Sequence, residues 1–135
     1  MFLQPKRIKY KKTRKGKLNK LEFRTNKLKI GTVGLKAVNS AIITARQIEA
    51  SRQAISRKIK KKGKLWIRIF PDTPITSKSV AARMGKGKGS VSHWGAKISG
   101  GSILFEICGV KDFNIIKNAL KTGGAKLPLK TRIIR

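Results

Sequence analysis

Acidic residues are scarce in this sequence, and their scarcity excludes more than any other feature of the composition. Five carboxylates (Glu22, Glu49, Asp72, Glu106 and Asp112) face 34 lysines and arginines in 135 residues, a formal net charge of +29. No two of the five lie close together in sequence. General acid–base and metal chemistry both draw heavily on carboxylates, so this distribution argues against an enzyme.

Cysteine and histidine are scarcer still. Cys108 is the single cysteine, which excludes an internal disulfide and a cysteine-cluster zinc site. It lies in the apolar run "SILFEICGV", where we expect an inert, buried thiol. His93 is the single histidine, and with no second ligand near it in sequence we predict a loop or strand residue that stacks or hydrogen-bonds with RNA. We therefore expect no metal and no cofactor.

Long hydrophobic runs are also missing. No segment approaches the ~20 apolar residues of a spanning helix, so we expect no membrane partner. Hydrophobic residues make up 39% of the chain, enough for the modest core of one domain. Self-repulsion between so many positive charges opposes compaction, which indicates a chain that works beside a large polyanion. Nucleic acid is favoured over an anionic membrane.

Residues 1–27 are predicted to be a basic N-terminal tail. They hold eleven cations and one acid, and their apolar residues are single and without a steady period. A mitochondrial presequence is also basic, but it is normally rich in serine and arginine, whereas here lysine dominates and no serine precedes Ser40. We expect the tail to become ordered on RNA, where Tyr10 and Phe23 could stack on bases.

Residues 28–135 are predicted to form a single α+β domain. Thr44 and Gln47 make a capping box that begins a helix, and Gly63 ends it. Trp66 lies in a strand with apolar residues on both faces, so both faces are expected to be partly covered. We predict that Trp66 anchors the core. The expected elements are an irregular strand over 28–38, a helix over 45–62, a strand over 64–71, two strands around the turn Gly100–Gly101, a helix over 111–121 and an extended end over 127–135. Their order predicts a compact domain with two helices and a mixed, mostly antiparallel sheet.

The segment "RMGKGKGSVSHW" (residues 83–94) could cradle a nucleotide. A Walker A loop needs Ser or Thr after a Gly-Lys pair, but Lys88 is followed by Gly89, and the spacing G-x-G-x-G does not match the dinucleotide fingerprint either. Alternate glycines instead leave backbone amides free to meet phosphate oxygens. Arg83 can fork onto a phosphate or stack on a base, while Lys86 and Lys88 act as point charges. We predict a phosphate-contacting loop, with a merely flexible loop as the alternative.

Two segments carry a resemblance to a known family. "RMGKGKGSVSHW" (residues 83–94) and "KKKGKLWIRIFP" (residues 60–71) closely resemble the two signature segments of the large-subunit ribosomal protein sixteen family, of bacterial and organellar type. Similar words follow in collinear order over nearly the whole chain: "LQPKRIKYKK", "GLKAV", "TARQIEASRQAISR", "PDTPIT" and "AKLPLKT". The resemblance implies an α+β domain in the large ribosomal subunit, bound to large-subunit rRNA close to the A-site tRNA cleft.

The predicted contacts fall into two groups. The resemblance implies a loop that faces the A- and P-site tRNAs near the peptidyl-transferase region: Arg83, Met84, Gly85, Lys86, Gly87, Lys88 and Gly89. Charge predicts RNA contacts along the tail and the first helix, and the resemblance implies that this RNA is large-subunit rRNA: Lys6, Arg7, Lys9, Lys11, Lys12, Arg14, Lys15, Lys17, Arg46, Arg52, Arg57, Lys60 and Lys61. Neighbouring ribosomal proteins are further expected partners, and we expect no homo-oligomer. The alternative function is a free-standing nucleic-acid-binding chaperone or compaction protein.

The composition also suggests a compartment. Lysine outnumbers arginine 24 to 10 and isoleucine is abundant, which is consistent with an A+T-rich genome. Residues 17–30 match the family poorly, and no presequence is evident. We predict an organelle-encoded mitochondrial member, with plastid and bacterial cytoplasm as alternatives.

The charge yields the first testable prediction. If about 6–10 phosphates are contacted, RNA affinity should fall roughly 10³–10⁵-fold between about 50 and 200 mM salt, by analogy with duplex DNA, because each neutralised phosphate releases counterions. The slope of log affinity against log salt measures this. A flat plot would contradict the polyanion interpretation.

Overall fold

Seven strands and two helices make up the part of the chain that the computed structural model describes, residues 3–18, 21–60 and 62–135. The prediction of an α+β fold is confirmed. In chain order the elements are β1 (Val33–Ala37), β2 (Ala41–Thr44), α1 (Ala45–Ile59), β3 (Lys64–Ile67), β4 (Thr73–Ser77), β5 (Ser90–Ile98), β6 (Ile103–Cys108), α2 (Phe113–Gly124) and β7 (Thr131–Ile134).

The strands form two sheets rather than the one predicted. One has the order β3-β6-β1-β7 and the other β2-β5-β4, and the pairs within both are antiparallel. The turn at Gly100–Gly101 does not close a hairpin, because β5 and β6 belong to different sheets. It carries the chain from one sheet to the other, and Gly101 has a φ of +98°. β2 and β4 went unpredicted because they are short and β4 contains a proline.

The first helix begins as predicted. Thr44 Oγ1 accepts from the N–H of Gln47 at 3.3 Å, and Gln47 Oε1 accepts from the N–H of Thr44 at 2.9 Å, which completes the capping box. The helix ends at Ile59, earlier than predicted, because Lys60 takes a left-handed conformation with φ 51°. Its N–H donates to the Ser56 carbonyl at 3.2 Å. A lysine here takes the position that glycine usually occupies at a helix C-terminus.

The second helix runs on to Gly124, past the predicted end at residue 121. The sequence predicts that Gly123 and Gly124 end the helix, and it does end at Gly124, but Gly123 lies inside the helix, where it allows close packing against α1. A Cβ at Gly123 would lie 2.4 Å from Cγ1 of Ile55, and Ser51 Oγ donates to the Gly123 carbonyl at 2.9 Å. The side chains of Ser51 and Ile55 in α1 therefore contact the backbone of α2 at Gly123. At this position glycine is required for helix packing.

One core unites both sheets and both helices. Leu35, Phe105 and Ile107 come from the four-stranded sheet, and Ile43 from the three-stranded one, and all are at most 1% exposed. Ile48, Ile55, Ala119 and Leu120 add the buried faces of the helices. Because all these residues belong to one contiguous cluster, the two sheets form a single unit.

Trp66 does not anchor this core, so that prediction is wrong. The side chain is 40% exposed, while Leu65 and Ile67 on either side of it are partly buried against the core. Trp66 pairs with Glu106 on the outer face of the four-stranded sheet. Strand alternation allowed either face to be the inner one, since apolar residues occupy both. Cys108, predicted to be buried, is only partly so.

Glu106 is a fully buried carboxylate on that outer face. Its Oε2 accepts from the N–H groups of Ile30 and Gly31, each at 2.7 Å, and its Oε1 pairs with the Arg68 guanidinium. A Cβ at Gly31 would lie 2.8 Å from the Glu106 Cβ, so only glycine allows this approach. Burial by itself would raise the pKa of Glu106, but the backbone N–H groups and Arg68 outweigh burial and leave the pKa below its ordinary value.

The N-terminal segment lies on the domain at several points. Leu3 is 7% exposed and belongs to the core cluster. Further along, the N–H of Glu22 donates to the Gly100 carbonyl at 2.9 Å, and the N–H of Ile103 donates to the Thr25 carbonyl at 3.0 Å. The boundary between a tail (1–27) and a domain (28–135) stays a prediction. Within the described ranges, neither helix is long and apolar enough to cross a bilayer.

The buried carboxylate generates the second testable prediction. Glu106→Gln should lower the free energy of unfolding by about 3–5 kcal/mol, because it removes a fully buried charge and leaves Arg68, whose side chain is only 13% exposed, without its counter-charge. Urea denaturation measures the change. Glu49→Gln is the matched control: Glu49 pairs with Arg52 at 2.7 Å, but both side chains are partly exposed, so the loss should stay below about 1 kcal/mol.

The same substitution should change the pH dependence of stability. The pKa of Glu106 is lower in the folded than in the unfolded chain, so its contribution is complete above the ordinary glutamate pKa of about 4.3 and is lost as pH falls below it. The unfolding free energy of Glu106→Gln should therefore decline less steeply than that of the wild type between neutral pH and strongly acidic pH. If Glu106→Gln and Glu49→Gln lost equal unfolding free energy, or if Glu106→Gln had the same pH profile of stability as the wild type, Glu106 would not be a stabilising buried charge.

Candidate nucleic-acid interface

The segment with alternate glycines is the connection between two paired strands. Ser77 at the end of β4 pairs with Ser90 at the start of β5, so residues 78–89 form a long hairpin loop. Residues 78–88 are exposed throughout, and Met84 is 96% exposed. The pairing of β4 with β5 thus projects the predicted tRNA-facing residues away from the core. We call residues 83–89 the glycine loop.

The tip of the glycine loop has an unusual backbone. Gly85, Lys86 and Gly87 are three successive residues with positive φ, at 88°, 52° and 82°. Glycine adopts this region freely, but a lysine pays about 1–2 kcal/mol for it. A Cβ at Gly85 or Gly87 would meet no atom within 4 Å, so these glycines are required by backbone conformation and not by space. The tip is therefore a tight curve with open surroundings.

The base of the loop, in contrast, is closely packed. A Cβ at Gly89 would lie 2.4 Å from the Ser77 carbonyl oxygen. Lys78 donates to the Gly85 carbonyl across the loop. The three glycines of the motif thus have two different roles, since two shape the tip and the third lets the strands close.

Lys88 points differently from the prediction. Its ammonium group donates to the Thr13 carbonyl at 2.5 Å, while Lys12 Nζ donates to the Lys88 carbonyl at 2.7 Å. Lys88 is therefore engaged with the N-terminal segment. Arg83 and Lys86 have no hydrogen-bond or ion-pair partner for their side chains within residues 3–18, 21–60 and 62–135, which leaves these two as the cations the loop presents.

The first helix divides its predicted cations into two groups. Arg46 and Arg57 are both exposed, and eleven residues on an α-helix bring them nearly into line, about 16 Å apart. We call this pair the arginine stripe. Arg52 lies on another side, and its guanidinium donates to both carboxylate oxygens of Glu49, at 2.9 Å and 2.7 Å. Its hydrogen bond to Arg52 is the main reason why the pKa of Glu49 lies below its ordinary value.

The remaining predicted rRNA contacts are surface cations. Lys60 is exposed at the end of α1, and Lys61 lies outside the described residues. All eight predicted cations of the N-terminal segment are exposed: Lys6, Arg7, Lys9, Lys11, Lys12, Arg14, Lys15 and Lys17. Lys9 lies over the ring of Tyr10, 5.5 Å from its centroid, and that ring is 65% exposed.

Every carboxylate of the chain is occupied within the fold. Glu49 binds Arg52 and Glu106 binds Arg68, while Glu22 accepts from the N–H of Arg24 at 2.8 Å. The other two bind close to home: Asp72 accepts from the Thr73 hydroxyl, and Asp112 caps α2 through the N–H of Asn114. Two ion pairs are found among the described residues. The other described cations therefore form no ion pair within the protein, and most of the excess positive charge faces solvent.

Two features of this surface escaped the sequence analysis. One is the reciprocal contact between Lys12 and Lys88, which joins residues 76 positions apart. The other is a groove beside α1, lined in part by Ile8, Arg46 and Trp94. Neither has a local signal, because both depend on where the N-terminal segment crosses the fold. His93, predicted to contact RNA, is exposed, with Nδ1 3.3 Å from Ser92 Oγ.

An α+β core with an uncompensated basic surface and a projecting glycine-rich hairpin is typical of proteins that associate with nucleic acid. The comparison with known families is more specific. The model of the family described as ribosomal protein L16p/L10e matches residues 5–134, so the chain belongs to this family. The resemblance in the signature segments is thereby confirmed.

Individual relatives agree over nearly their whole length. The chain is 50% identical over 134 residues to "Large ribosomal subunit protein uL16" of Bartonella henselae, covering 99% of this chain and 97% of the relative. It is 50% identical to the proteins of that name from Hyphomonas neptunium and Caulobacter vibrioides, covering 96% and 92% of those relatives. These relatives are bacterial, and they do not support the mitochondrial prediction.

The two roles of the glycines give the third testable prediction. Gly89→Ala should open the base of the loop, because its Cβ would collide with the Ser77 carbonyl, and amide hydrogen exchange at Ser77 and Ser90 should accelerate. Gly85→Ala is the matched control, since it meets open space and carries only the strain of positive φ, about 1–2 kcal/mol. Its effect should stay within the loop. Equal acceleration at the strand ends in both variants would contradict the division between tip and base.

Proposed function

We propose that this protein is a structural constituent of the large ribosomal subunit, that it binds large-subunit rRNA, and that its glycine loop faces tRNA near the A site and the peptidyl-transferase region. Its role there is to position RNA and not to catalyse a reaction. Membership of a ribosomal protein family and relatives named for the large subunit support the first part. The projecting loop, with two cations lacking protein partners, is the single observation that carries the rest.

The rRNA-binding surface in this proposal is the basic N-terminal segment together with the arginine stripe. Its described cations are exposed and form no ion pair within the protein, which leaves them available for contacts to phosphate. Arg52 contributes less than predicted, because both of its donors toward Glu49 are in use. Lys88 acts through the loop's attachment to the N-terminal segment. Neighbouring ribosomal proteins are further partners, and the protein joins the subunit as a single copy.

The loop tip suits an RNA backbone for a chemical reason. Arg83 offers a planar fork of donors that matches phosphate, and Lys86 offers a compact charge. Positive φ at three successive residues turns the backbone sharply, so its amide groups are not consumed by strand pairing. Met84 adds an adaptable apolar contact. These groups together can meet phosphate, ribose and base edge without reading a sequence.

Two compartments fit this function. The excess of lysine over arginine motivates a mitochondrial ribosome, whereas the bacterial relatives fit a ribosome of the bacterial cytoplasm. Fractionation of the source cells, followed by sedimentation, assigns the protein to organellar or cytoplasmic large subunits.

The proposed role gives the fourth testable prediction. Arg83→Ala and Lys86→Ala should leave folding and incorporation into large subunits nearly intact, because the loop tip adds nothing to the core. Binding of tRNA by those subunits should weaken about 10- to 150-fold for each variant if the lost contact is desolvated, which corresponds to about 1.5–3 kcal/mol. Solvent screening would reduce the effect.

Sedimentation of the variant with large subunits and tRNA binding by the isolated subunits form the paired measurement. Lys126→Ala, an exposed lysine outside the predicted contacts, is the matched control and should change neither. Variants that assemble and bind tRNA like the wild type would refute the tRNA-facing role. Variants that do not assemble would make the loop an rRNA anchor instead. A wild-type protein absent from large subunits would refute the function as a whole.

A further inference from the structure

A groove runs along the side of α1, between this helix, the N-terminal segment and the start of β5. Its lining includes Ile8 and Lys11 from the N-terminal segment, Ala50 and Gln53 from α1, and Trp94 from β5. Arg46, Ala50, Gln53 and Arg57 recur at steps of three and four residues, so they share one face of the helix. The groove therefore borders the arginine stripe.

Trp94 has a position that its sequence pattern did not indicate. It lies two residues from Ala96, which is 2% exposed and packs in the core, so strand alternation puts both on the inner face of the three-stranded sheet. At this end of β5 the core has ended, and Trp94 is only partly buried. A tryptophan held on one side and open to a groove on the other is a stacking platform for a planar ring.

The charges around the groove favour one kind of ring. Lys11, Lys12 and Arg46 line it together with apolar side chains. Glu49 also lines it, but its carboxylate is held by both donors of Arg52, so it leaves no unpaired negative charge there. Apolar walls with an aromatic ring and cationic borders match a nucleotide, whose base is planar and whose phosphate is anionic. A base inside a duplex cannot reach such a ring, because its faces are stacked on its neighbours.

We propose that this groove binds an unpaired nucleotide of RNA, with its base against Trp94 and its phosphates at Lys11 and Arg46. The proposal rests on the proposed function in assuming that the partner is RNA. It adds that the protein distinguishes single-stranded from duplex RNA, at a place separate from the glycine loop.

Fluorescence of Trp94 tests the proposal directly. The chain has two tryptophans, so Trp66→Phe leaves Trp94 as the sole reporter, and Trp66 lies exposed on the other sheet. A short oligoadenylate should quench this fluorescence, and a blunt-ended, fully paired RNA duplex of the same length should quench it far less. Trp94→Ala should weaken oligoadenylate binding about 5- to 150-fold, the range for loss of one stacked base, and leave binding of the blunt-ended duplex unchanged.

Ala50→Glu provides a variant that does not depend on removing a packed ring. Ala50 is exposed on the groove face of α1, so the fold should tolerate a glutamate there, while the groove gains a negative charge. Ala125→Glu makes the same charge change at an exposed position after α2. Oligoadenylate affinity should fall at least several-fold more for the first variant than for the second.

Three results would overturn the groove proposal while leaving rRNA binding intact. The first is unquenched Trp94 fluorescence in a protein that binds oligoadenylate, and the second is an equal loss of oligoadenylate affinity in Ala50→Glu and Ala125→Glu. The third is equal quenching by a polyglutamate peptide, which would mean that the groove detects charge and not bases. Absence of binding to both RNAs at low salt would instead refute the proposed function. The two failures are thus distinguishable.

Discussion

The buried carboxylate of Glu106 is the interaction on which much of this fold depends. A single acid in the middle of the four-stranded sheet fixes the segment that precedes β1, through the N–H groups of residues 29–31, and also fixes Arg68 beyond the end of β3. Because a charge without water must be compensated, these partners have little freedom to be elsewhere. Although the chain has only five acidic residues, Glu106 has a structural role in the fold.

The scarcity of acidic residues also determines the charge of the surface. All five acidic side chains are engaged in caps, turns or ion pairs, and the cations outside these contacts in residues 3–18, 21–60 and 62–135 form no ion pair on the protein. Such a surface raises the electrostatic energy of the isolated molecule and lowers it beside a polyanion. The glycine loop and the groove beside α1 are the two places where this surface acquires shape as well as charge.

Several elements were predictable because their signals are local. The capping box of Thr44 and Gln47 lies within one turn and was confirmed to the atom. Helix ends were less predictable. Lys60 ends α1 in a left-handed conformation that a lysine rarely adopts, and Gly123 lies within α2 because it packs closely against α1. β4 was missed for a similar reason, since it is a strand chiefly by virtue of its partner β5. The exposure of Trp66 could not be read from a strand with apolar residues on both faces.

The sequence by itself determined the α+β class, the family, the excess of positive charge and the position of the glycine loop along the chain. Composition and short-range spacing are sufficient for these, because they reflect interactions between near neighbours or sums over the whole chain. The tertiary structure alone decided that the strands divide into two sheets, that Lys88 is tied to Thr13, and that Trp94 borders a groove. Each of these depends on contacts between residues far apart in sequence, and those contacts exist only once the core has brought their elements together.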